Sequence, residues 1–92
     1  MERDQIRAGT VVQSLAGKDK GVLYVVVDRL TYPYVQIADG RKYKLDRPKK
    51  KNCRHLRILG AVETVPANYS DEWIRAAVKR TAVELTREVL HV

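Results

Sequence analysis

The sequence predicts a mainly β domain, a small barrel followed by one amphipathic C-terminal α-helix. Three observations carry that expectation. Short apolar, β-branched runs separated by glycine-containing turns fill the chain as far as Val65. Apolar spacings of three and four take over after Ser70. The length of 92 residues suits one domain with a modest core. The expected division is a barrel with a basic loop over residues 1–66 and a helix packed on or beside it over residues 67–92.

Gly9 to Leu15 reads as a first strand after a polar lead-in. Ala16-Gly17-Lys18-Asp19-Lys20-Gly21 reads as a turn, where glycine supplies positive φ. Val22 to Val27 is the most apolar run, suited to a strand buried on both faces or strongly curved in a small barrel. Pro33 is confined to an edge or a strand start. Tyr34 to Asp46 reads as a hairpin around Asp39-Gly40. A three-residue loop, Ala38-Asp39-Gly40, pairs Val35 with Tyr43 and Ile37 with Arg41. Leu45 then joins them on the inner face, and Lys42 and Lys44 lie on the outer one. Arg47 to Asn52 is expected to break the sheet as a mobile loop, because Pro48 lacks a donor and three adjacent lysines repel. Arg54 to Leu59 resumes a strand, Gly60 marks a bend, and the strand extends towards Val65. Ser70 suits a helix N-cap, and Asp71 and Glu72 suit the positive end of the dipole. Ile74, Ala77, Val78, Thr81, Leu85 and Val89 form the apolar stripe of that helix. Trp73 is placed to dock it on the domain.

The net charge of +7 is concentrated in one place. Residues 41–57 hold Arg41, Lys42, Lys44, Arg47, Lys49, Lys50, Lys51, Arg54 and Arg57 against Asp46 alone, a local charge of +8. The other 75 residues sum to −1. A polyanion is the natural partner of such a segment, and nucleic acid leads through phosphate contacts and counterion release.

Other chemistry is poorly supplied. Asp19, Asp28, Asp39 and Asp46 are scattered at turns, and no nucleophile–base set or phosphate-binding glycine loop appears, so no enzyme, catalytic residue or cofactor is expected. Cys53 and His55 form a Cys-x-His pair, but His91 is the one other histidine, so no metal site is expected. No window holds a membrane span, and Met1 to Gln5 has no apolar run of signal-peptide type. The lone Cys53 cannot form an internal disulfide, in keeping with a cytoplasmic setting.

The stretch Gly9-Thr10-Val11-Val12, the turn Gly17-Lys18-Asp19-Lys20-Gly21 and the strand Val22-Leu23-Tyr24-Val25-Val26 resemble the KOW motif. Asp39-Gly40-Arg41, Arg47-Pro48-Lys49-Lys50-Lys51-Asn52 and His55-Leu56 extend the likeness, over residues 8–60, to the bacterial relatives of the ribosomal L14e, L6e and L27e group. The resemblance implies an SH3-like barrel, RNA binding through the turn framed by Gly17 and Gly21, and association with the ribosome.

On that reading the contact residues are Lys18 and Lys20 on the turn, then Arg41, Lys42, Lys44, Arg47, Lys49, Lys50, Lys51, Arg54, His55 and Arg57. The lysines act as flexible point charges and the arginines as bidentate phosphate partners. Tyr32 and Tyr34 are the candidates for stacking on unpaired bases, while the expected register turns Tyr43 inward. The competing expectation is a protein-interaction module of the translation or transcription machinery, using the barrel or the helix. In that case a second copy of the chain is one candidate partner for the helix.

Overall fold

Val22 to Val27 could be apolar on both faces only if both faces were covered, and they are. In the computed structural model, which describes residues 6–61 and 69–90, most of this run forms strand β2 (Leu23–Arg29) at the centre of a five-stranded antiparallel sheet. The other strands are β1 (Thr10–Ser14), β3 (Tyr34–Ala38), β4 (Lys49–Asn52) and β5 (Leu56–Ala61), in the order β4-β3-β2-β1-β5. One α-helix among the described residues, α1 (Asp71–Leu90), follows.

Successive side chains alternate across a strand. Tyr24 and Val26 therefore join Val12, Val35, Ile37, Ile6, Cys53 and Leu56 in one cluster. Val25 joins Val11 and Ala38 in a second, closed by Ile74 and Ala77 of α1. Val22 stays outside the strand and is exposed.

The connectivity forces the sheet to curl. Its edge strands, β4 and β5, are consecutive in sequence and joined only by a 3-10 turn, Cys53–His55. Crossing a flat sheet of this size takes about 19 Å, whereas three residues of 3-10 helix advance about 6 Å. The edges must approach each other, and the sheet wraps the first cluster as a small barrel. A bulge between Val11 and Val12, where β1 faces Gly60 and then Ile58 of β5, supplies the bend expected at Gly60.

The hairpin expected between Tyr34 and Asp46 is not formed. β3 pairs with β4 instead, Val35 opposite Lys51 and Ile37 opposite Lys49. The lysine triplet is thus a strand and not a mobile loop, and Lys42 and Lys44 lie on an irregular connection between strands. Local patterning disfavours lysine opposite a buried valine or isoleucine; here a distant carboxylate, described below, supplies the compensation. The connection is fastened in two ways. Asp39 Oδ1 accepts from the Arg41 and Tyr43 N–H groups, each at 2.9 Å. The Leu45 N–H donates to Asp71 Oδ1 at 2.9 Å, and Arg75 Nη1 donates to the Gly40 carbonyl at 2.6 Å. Gly40 has the expected positive φ, +77°, but its role is close approach to α1: a Cβ there would meet the Asp71 carbonyl oxygen at 2.6 Å. Tyr43 and Leu45, expected on one face, separate; Tyr43 packs on the first cluster and Leu45 on the second. Arg54 and His55 also leave the expected strand and sit in the 3-10 turn, which Asn52 caps through its side chain.

The helix follows its sequence closely. Ser70 Oγ accepts from the Trp73 N–H at 3.0 Å, and Asp71 and Glu72 occupy the first turn. Trp73 and Val78 pack beside Ile74 and Ala77, and the helix lies on β2 and β1. From Lys79 to Arg87 no side chain is buried, and Thr81 and Leu85 are half-buried. Among the described residues no helix is long and apolar enough to cross a membrane. The strand extension from Val62 to Val65 and His91 lie outside the described residues.

Candidate nucleic-acid interface

The turn between β1 and β2 needs two backbone conformations that only glycine adopts easily. Gly17 and Gly21 have φ of +88° and +93°. Gly21 donates its N–H to the Ser14 carbonyl at 2.8 Å, and Val22 donates to the Asp19 carbonyl at 2.9 Å. The result is an ordered turn with Lys18 and Lys20 exposed and Asp19 directed inward.

Asp19 is the hub of the site. Its Oδ1 lies 2.8 Å from Ser14 Oγ and 3.1 Å from Lys51 Nζ. Its Oδ2 accepts from Tyr24 Oη at 2.9 Å and from Lys49 Nζ at 3.1 Å. Burial alone would raise the carboxyl pKa, but the hydrogen bonds from Ser14, Tyr24, Lys51 and Lys49 outweigh it and hold the group well below the usual carboxylate range. The Tyr24 phenol is pushed the other way, by burial first and then by the Asp19 carboxylate.

The register explains why two lysines turn inward. Directly opposed residues of an antiparallel pair share a face, so Lys49 and Lys51 lie on the barrel side with Ile37 and Val35. The Lys51 side chain is only 12% exposed and also donates to the Ala16 carbonyl. Inward charges of this kind also blunt an edge strand against pairing with other chains. Lys50 faces outward, its Nζ 4.6 Å from the centre of the Tyr34 ring.

This network brings the turn and the basic segment together. Lys18, Lys42 and Lys49, with Asp39 and Tyr43, line one cleft of about 360 Å³ beside Asp19. Lys42 and Lys49 each stand over the Tyr43 ring, at 5.5 and 5.2 Å. Arg41, Lys44 and Arg47 are exposed on the connection that carries Lys42. Arg54, His55 and Arg57 are exposed elsewhere, and the two arginines flank a cleft of about 460 Å³ floored by Leu15, Leu56 and Ile58. Tyr32 and Tyr34 are also exposed.

The single basic segment of the sequence thus divides. Lys42 and Lys49 join Lys18 near the turn, whereas Lys50 and the Arg54–Arg57 group face other directions. From the sequence alone Asp19 reads as a turn carboxylate. The available signal was the alternation of Lys49 and Lys51, which matches the alternation of Val35 and Ile37 and calls for a buried counter-charge. No protein-family model matches the chain.

Proposed function

We propose that this is an RNA-binding protein that holds the phosphate backbone at the cationic cleft between the β1–β2 turn and the connection preceding β4. One observation carries the reading. Asp19 neutralises part of the inward charge of Lys49 and Lys51 and ties β4 to the turn that carries Lys18 and Lys20, so that Lys18 lines one cleft with Lys49 and with Lys42 of the fastened connection. Preformed cations lose less entropy on meeting phosphates. The likeness of the turn to the KOW motif favours RNA over other polyanions, and with it association with the ribosome in the cytoplasm. On this reading the protein binds and does not catalyse.

The test is RNA affinity by fluorescence anisotropy at low salt. Reversing Lys18, Lys20 and Lys42 together to glutamate should weaken binding by about tenfold or more. Reversing Lys79 and Arg80 on α1 should change it by about twofold at most. Equal losses from the two variants would contradict the assignment.

A second reading, a protein-interaction module, is favoured by α1. Past Val78 its described side chains are not buried, and Val83 is 49% exposed. Light scattering showing a dimer, with no RNA affinity at low salt, would favour it.

A further inference from the structure

We propose a second contact surface for unpaired nucleotides on the outer face of the β3–β4 pair, built from Tyr34, Gln36, Lys50 and Asn52. It rests on the RNA reading above and names the form of RNA recognised.

The strand register assembles the four residues. Val35 and Ile37 are buried, so Tyr34 and Gln36 occupy the opposite face of β3. Tyr34 lies directly opposite Asn52, and Gln36 directly opposite Lys50. The four side chains therefore share one patch, with the Lys50 ammonium 4.6 Å from the Tyr34 ring centre. The same sheet face is closed by α1 at Val11, Val25 and Ala38 and is open at Tyr34, which is 39% exposed.

Each residue type supplies what an unpaired nucleotide offers. The Tyr34 ring presents a stacking surface. Asn52 Oδ1 accepts from the Arg54 N–H at 2.9 Å, which orients the amide and leaves its NH₂ for a base edge. Gln36 carries a second amide two positions along the strand from Tyr34. Lys50 supplies a phosphate partner. Its contact with the ring is the weaker competitor, because an exposed cation–π pair yields to base stacking. Tyr32, 51% exposed, lines a cleft with Tyr34 that also includes Ile6, Val35 and Cys53 of the first cluster, so it lies beside the patch and not within it. The need to protect an edge strand accounts for Lys50. It does not account for an aromatic and two amides gathered on the same face.

The test compares binding of the full chain to single-stranded RNA of roughly 12 nucleotides and to an RNA duplex of similar charge. Tyr34→Leu should weaken single-strand binding by about tenfold and duplex binding by about twofold at most, and Tyr34→Phe should restore the single-strand affinity. Gln36→Ala and Asn52→Ala should flatten the preference among the four homopolymers. Equal loss on both RNAs, or no loss on either while the parent protein binds, would overturn the platform and leave the cationic cleft standing. A parent protein that binds neither RNA at low salt would overturn both.

Discussion

At the scale of single residues, Asp19 decides the most. Its folded-state pKa lies below the unfolded value of about 3.9, so its contribution to stability is complete above about pH 5 and is lost as the pH falls through the folded value. Asp19→Asn should cost about 3 kcal/mol near neutrality, because Lys51 and Lys49 lose their counter-charge at a largely buried site. Denaturant unfolding should show that difference shrinking below about pH 4. A difference that stays constant into strong acid would remove Asp19 from its place as hub. Glycine offers a second comparison. Gly40→Ala meets the Asp71 carbonyl oxygen at 2.6 Å as well as an unfavourable φ of +77°, whereas Gly21→Ala has open space and only the φ of +93° to overcome. The first should lower stability by about 2 kcal/mol or more and the second by about 1 kcal/mol. Thermal unfolding in the reverse order would contradict the docking of the connection on α1.

Elements differ in how far their local sequence specifies them. The helix is the clearest case: Ser70, the acidic first turn and the spacing of Ile74, Ala77 and Val78 all act within a turn or two. Ser70→Ala should therefore cost about 1 kcal/mol in denaturant unfolding, and a cost near zero would show that the cap bond is immaterial. The β1–β2 unit was equally legible, because its glycines, exposed lysines and doubly covered second strand depend on neighbours in sequence. β4 was not. Its lysines look like a sheet breaker until Asp19 is in place, and Asp19 lies 30 residues from Lys49 and 32 from Lys51. The same separation hid the site. Lys18 and Lys20 could be named as exposed cations from their turn, but which basic residues share a surface with them depends on the β3–β4 register. An attractive local hairpin at Asp39-Gly40 competed with that register, and the fastening of the connection to Asp71 and Arg75 resolves the competition in favour of β4.

Across the whole molecule, the net charge of +7 is carried by a barrel whose two edges are drawn together by a three-residue turn. Curling moves the basic segment from a line into several directions. One group meets the β1–β2 turn, one faces outward with Tyr34, and one flanks the cleft at Leu15. The central claim is that the first group is the phosphate contact. Its most direct test is the salt dependence of RNA affinity for the parent chain and for the chain with Lys18, Lys20 and Lys42 reversed to glutamate. Counterion release predicts a steep linear fall of log K with log salt for the parent, and a slope shallower by about 2–3 for the variant. Parallel slopes, or a parent slope near zero, would contradict the claim.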